Sequence, residues 1–267
     1  MLRSLFVVEG PHDEAVLGRL LRLRKLEAVT KLSALDSFWE RLVPRTFPYR
    51  DDLRARVPVP SFYASNSYSV GILSAVGIDN LVRTANTSLL LLPDGLSGLG
   101  LVLDSDDRDV AVSWRTLQTQ LSGLGDRAGS VCVGLNGMRI GGFVLPDNQS
   151  SGTLEAMLLE CAEVAYPTLL STARAFIEPL DPHNTALFSS AKERQDLTKP
   201  SGKDKAIVGA IANVLRPGKA VQVSLQDNRW LRDPECLQLP KVSALLNFVD
   251  AVIGVTSPTS PTAPTGP

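Results

Sequence analysis

The chain has 267 residues, of which 44% are hydrophobic, with 27 Lys and Arg against 28 Asp and Glu, and a net charge of -1. That is enough apolar material for a large core, and the balanced charge excludes a whole-molecule basic field as the means of holding a polyanion. Three widely spaced cysteines, Cys132, Cys161 and Cys236, offer neither a zinc pattern nor a disulfide framework and fit a reducing compartment. Cys132 lies in an apolar run and reads as a small core residue. The first apolar run is too short for a signal peptide, and no run of about 18 apolar residues exists to span a membrane. The expectation is a cytoplasmic protein without a membrane partner.

Taken in order, Leu5–Val8 is a short apolar run suited to a strand buried on both faces. Glu9 follows it, Gly10 and Pro11 turn the chain, and a helical apolar pattern begins at Ala15. Pro11 and Asp13 suit the first helical turn, where proline fits and an acid complements the positive dipole end. The segment 32–60 interleaves Phe38, Trp39, Phe47 and Tyr49 with Arg41, Arg45, Arg50, Arg54 and Arg56. Pro44, Pro48, Pro58 and Pro60 forbid a long helix through it. Two uses compete: a surface that grips phosphates and stacks bases, or a shaped loop with aromatics in the core and arginines paired with Asp51 and Asp52.

Residues 69–76 read as a second strand, 81–85 as a short helix, and 89–92 as an apolar run ended by a turn. Leu99–Leu103 is a buried strand ending at Asp104, followed by a helix over 111–121 and strands at 131–133 and 140–145. Helices follow at 154–161, 167–177, 206–215 and 243–253. The alternation predicts an α/β architecture over residues 1–254, with a mostly parallel sheet and helices on both faces. The added helices from residue 152 would pack over one edge or form a lid, and the Pro/Thr/Ser-rich 255–267 would be a disordered tail.

The chemistry concentrates in L-V-L-D-S-D-D-R, where Asp104 and Asp106 stand two apart at a strand's end and are expected on one side of it. If this strand neighbours the first, Glu9, Asp104 and Asp106 converge, and their repulsion calls for a cation or a proton between them. Hard oxygen donors select Mg²⁺ or Mn²⁺, and such a cation clamps phosphates.

V-V-E-G-P-H-D followed by L-V-L-D-S-D resembles the Toprim domain of topoisomerases, bacterial primases, the ribonuclease that matures 5S ribosomal RNA and overcoming-lysogenization-defect nucleases. The whole chain is similar to small stand-alone Toprim-like proteins of prokaryotes. The resemblance implies a Rossmann-like fold, Glu9 as acid/base or metal ligand, Asp104 and Asp106 as the metal-binding pair, and Asp13 as the aspartate of the glutamate motif. It also implies that Asp147 or Glu155 completes a second metal site, although a turn and a helix start would equally use those acids. Lys203 and Lys205 are candidates for neutralising charge on a phosphate, and His12 for moving a proton. Ser105 and Asp107 are candidates for supporting the cluster.

No ATPase segment, zinc ribbon or DNA-gate tyrosine domain accompanies these motifs. The expected function is therefore a Mg²⁺-dependent phosphodiesterase acting on DNA or RNA. The alternative is a non-catalytic metal-binding module that works with a protein partner. A phosphatase of another doubly wound fold is a third reading, weakened by Glu9 where a nucleophilic aspartate usually stands. The oligomeric state is left open.

Overall fold

The structure is a computed structural model that describes residues 1–46, 59–75, 77–134 and 136–255. The expectations for Phe47, Tyr49, Arg50, Asp51, Asp52, Arg54, Arg56 and the tail 256–267 lie outside the described residues.

Seven strands form one sheet: β1 (Leu2–Val8), β2 (Glu27–Ala28), β3 (Ser61–Ala64), β4 (Tyr68–Ser74), β5 (Gly98–Asp104), β6 (Val131–Val133) and β7 (Arg139–Leu145). Their spatial order is β2-β3-β4-β1-β5-β7-β6. The central four, β4, β1, β5 and β7, are parallel, and the short outer strands are antiparallel. The chain thus moves outward from β1 to β4 on one side and then returns to β5 on the other. That reversal makes a switch point between β1 and β5, where the connecting segments leave in opposite directions and open a crevice.

The continuous apolar runs of β1 and β5 become strands because both faces are covered: Leu5–Val8 are fully buried and all of β5 is buried. Helix α1 (Pro11–Leu23) lies on one face. Helices α2 (Leu81–Leu91) and α3 (Val110–Gln120) lie on the other, with Trp39, Leu101 and Trp114 in their core. The run 89–92 is the end of α2 and not a separate element, and Leu90 there is exposed. Trp39 and Phe38 enter the core, so the shaped-loop reading holds for these two aromatics, and Trp39 Nε1 donates to Ser69 Oγ at 2.8 Å.

The carboxyl-terminal half adds α4 (Leu154–Ala165), α5 (Pro167–Ile177), α6 (Ala191–Arg194), α7 (Gly202–Leu215), α8 (Val221–Asp227), α9 (Pro234–Gln238) and α10 (Pro240–Ile253). Apart from α6, they join the α1 face, with Met157, Ile211, Trp230 and Phe248 in one apolar cluster. Arg24, at the end of α1, pairs with Asp250 of α10 and so ties the first helix to the last. Two expectations are corrected here. Cys132 is half-buried, because β6 is a three-residue edge strand with a partner on only one side. Helix α7 begins at Gly202 and not at Ala206, which puts Lys203 and Lys205 in its first turn. Among the described residues, no helix is long and apolar enough to cross a membrane.

Candidate functional site

The expected adjacency holds: β1 and β5 are parallel neighbours, with Val8 opposite Val102. Just beyond this register, the main-chain N–H of Asp104 donates to Glu9 Oε2 at 3.3 Å. Asp13, on the first turn of α1, turns back so that its Oδ2 accepts the N–H of Gly10 at 2.8 Å. Asp104 Oδ1 accepts the N–H of Leu154 at 2.9 Å, which fastens the start of α4 to the end of β5. Glu155 comes next on that helix. Glu9, Asp13, Asp104 and Glu155 together line a cavity of about 350 Å³, joined by His12, Gly77 and Lys205.

Burial governs the electrostatics of this cavity. It pushes Glu9 above the usual carboxylate range, with Asp106 adding to the rise and the N–H of Asp104 and the charge of Lys205 opposing it. Asp13 is pushed up to about 7 by burial, with Glu9 and Glu155 adding to the rise against the Gly10 hydrogen bond. Asp104 is raised well above its ordinary value by burial and by the neighbouring Asp13, Glu9 and Glu155. Glu155 behaves differently. Burial opposes its ionisation, but His12, Lys205 and Thr153 together hold it below the usual range. His12 Nδ1 lies 3.5 Å from Glu155 Oε1, while Glu155 Oε2 is buried without a hydrogen-bond partner.

Asp106 departs from the expected geometry. Strand β5 ends at Asp104, and Asp106 sits in a left-handed turn with φ 54°, its N–H donating to the carbonyl of Gly152 at 2.9 Å. Strand alternation therefore does not align its side chain with that of Asp104, and aspartate tolerates this backbone region better than most residues. Asp106 approaches Glu9 closely enough to act on its charge, but it does not line the cavity. Ser105, between them, is buried and accepts the N–H of Gly152 at 2.8 Å, with its hydroxyl 3.0 Å from the carbonyl of Leu145. It braces the turn that carries both aspartates.

Of the remaining candidates, Glu155 belongs to the cavity and Asp147 does not. Asp147 accepts the N–H groups of Gln149 and Ser150 and serves a turn beyond β7. Lys203 Nζ donates to the carbonyl of Glu178 at 2.7 Å, whereas Lys205 faces the acids. Two residues apart on a helix they point in different directions. Asp107 is exposed.

Among the described residues, no three His, Cys, Asp or Glu side chains form a ready-made metal cage. The donor set nevertheless suits a hard divalent cation: four carboxylates share one crevice, three of them held above their normal range by burial and mutual repulsion. A fourth offers an unpartnered buried oxygen.

The fold and the crevice define an α/β protein with an acidic site at the switch point of a mostly parallel sheet. The chain belongs to the family of proteins of unknown function DUF3226, whose model matches residues 3–247. The crystal structure of a hypothetical protein from Pyrococcus horikoshii OT3 is similar over 94% of this chain and 95% of that one, with a TM-score of 0.51 and 18% identity. That likeness is one of fold. No curated protein matches.

Proposed function

We propose that this chain is a Toprim-like, Rossmann-like phosphodiesterase that cleaves DNA or RNA with Mg²⁺ or Mn²⁺. The observation that carries the reading is the meeting of Glu9, Asp13, Asp104 and Glu155 around one crevice at the carboxyl ends of β1 and β5. Glu9, Asp13, Asp104 and Glu155 are the residues that would hold the cation, with Asp106 close enough to act on the charge of Glu9. When bound, the cation polarises a phosphoryl oxygen and activates water.

The chain's own groups supply the rest. Glu9 Oε2 is held by the Asp104 N–H, which leaves Oε1 to hold or release a proton at a raised affinity. Lys205 brings positive charge to the acidic wall, where negative charge grows on a phosphate as it is attacked. The Asp13–Gly10 bond fixes the turn that presents Glu9, and the Asp104–Leu154 bond fixes the approach of Glu155. Incubation with plasmid, single-stranded DNA and tRNA in Mg²⁺ or Mn²⁺ tests the proposal. Cleavage lost in Asp104→Ala is the expected result; no cleavage, or cleavage undiminished in that variant, overturns it.

A second reading is a partner-dependent module that binds metal without turnover. It is favoured by Glu9, Asp13 and Asp104 each being engaged by a main-chain N–H, a structural use of the same acids. It predicts thermal stabilisation by Mg²⁺ without cleavage by the isolated chain.

A further inference from the structure

Beside the acidic crevice lies a second cavity, of about 620 Å³, with the opposite electrostatic character. Its floor is the carboxyl end of β4 (Leu73, Ser74 and Ala75), and its walls are α2 and the segment 41–46. Arg41 and Arg83 line it, and among the described residues none that lines it is acidic. Both arginines are exposed, and among the described residues each bonds to a neutral group: Arg41 Nη1 donates to the carbonyl of Leu91 at 3.4 Å, and Arg83 Nη2 donates to Asn80 Oδ1. Among the described residues, neither guanidinium has a carboxylate within ion-pair distance, whereas Arg3, Arg24 and Arg45 all do. Thr84 and Thr87 add hydroxyls along the same wall of α2.

The two cavities reach the carboxyl ends of β1 and β4. Ala75 of the basic cavity donates its N–H to the carbonyl of Val8 at 2.8 Å, and Gly77 of the acidic crevice donates to the carbonyl of Glu9 at 3.1 Å. Two residues of chain span at most roughly 7 Å.

We propose that the Arg41–Arg83 cavity holds the phosphodiester backbone of a nucleic-acid strand beside the phosphate presented to the acidic crevice. The inference rests on the phosphodiesterase reading and extends it by naming positioning residues for the substrate. Unpaired guanidiniums suit this role because they present fixed donor forks to phosphate oxygens. The acidic crevice repels the same backbone unless a cation is present, so the neighbouring basic cavity supplies the attraction that the net charge of -1 does not.

The test is binding of fluorescent DNA and RNA oligonucleotides to full-length protein in EDTA, followed as a function of salt. The Arg41→Ala/Arg83→Ala variant is compared with wild type and with Lys192→Ala/Arg194→Ala, whose residues line a separate cavity. Each lost phosphate contact lowers the slope of log affinity against log salt by about 0.7 to 0.9. The double variant should therefore lose about 1.4 to 1.8 of slope, while the Lys192/Arg194 control keeps the wild-type value. Unchanged melting temperature checks folding, and the single variants, each losing about half as much, substitute if the double variant fails to fold. Oligonucleotide binding with an unaltered slope in the Arg41/Arg83 variant, or an equal loss in the control, overturns this inference and leaves the cleavage reading intact. Arginine-dependent binding without cleavage at any metal does the reverse. No binding by wild type overturns this inference, and the cleavage assay in Mg²⁺ or Mn²⁺ decides the other reading separately.

Discussion

The N–H of Asp104 reaches across from β5 to the carboxylate of Glu9 at the end of β1, joining two residues 95 positions apart in the chain. This bond makes the end of β1 and the end of β5 one unit. A change at either residue is therefore felt at both.

Divalent cations should stabilise the protein through this unit. Mg²⁺ or Mn²⁺ at about a hundred times its dissociation constant adds about 2.7 kcal/mol to a folded state that alone binds it. For a chain of this size that raises the melting temperature by several degrees. The rise should shrink sharply in Asp104→Asn and in Glu155→Gln, and EDTA should reverse it in wild type. Equal shifts in all three proteins would place the cation elsewhere.

The two neighbouring lysines separate function from surface. Lys205→Ala should lower cleavage at least about tenfold, since it removes the cation facing the acids, in line with losses seen on removing a single charge-stabilising group. Lys203→Ala should stay within about twofold of wild type, because its ammonium is spent on the Glu178 carbonyl. Rates measured side by side on one oligonucleotide decide between them.

Asp13 gives the pH dependence its sign. Its folded value of about 7 lies above the unfolded value of about 3.9, so between those limits the folded state holds a proton that the unfolded chain releases. Stability in the absence of divalent cations should therefore be complete below about pH 4 for this group, fall as the pH rises, and level off above about 7. Burial pushes Glu9, Asp104 and Glu14 the same way. Asp13→Asn can keep the acceptor for the Gly10 N–H while removing the charge, so urea titrations of this variant should show a flatter profile between pH 5 and 8 and higher stability at pH 8. An unchanged profile counts against a buried, proton-holding Asp13.

Gly98 opens β5 against the carboxyl end of α10. A Cβ there would lie 2.3 Å from the carbonyl oxygen of Val252 and 2.8 Å from Ser4 Oγ. The first is backbone, already accepting from Arg139 Nε at 2.9 Å, so it cannot simply turn away. Gly98→Ala should cost about 1–3 kcal/mol, the usual price of overpacking, read as a lower urea midpoint with little change in slope.

The sequence by itself determined the local pieces. Unbroken apolar runs marked β1 and β5, because strands buried on both faces tolerate few polar side chains, and acids directly after them marked the crevice. Proline at the first position of α1 and of α5 marked where those helices start. The two-residue β2 and the four-residue β3 carried too few residues to show a period, and they exist because β4 offers them an edge.

Only the tertiary structure decided membership of the site. Glu155 enters because the Asp104 carboxylate captures the N–H of Leu154, whereas Asp147, at the end of an equally buried strand, is spent on its own turn. Lys205 was separated from Lys203 by the extra helical turn at the start of α7, and Asp106 from Asp104 by the end of β5. Spacing along a chain specifies direction only while the backbone stays periodic, and at this crevice the functional side chains sit where the periodicity stops.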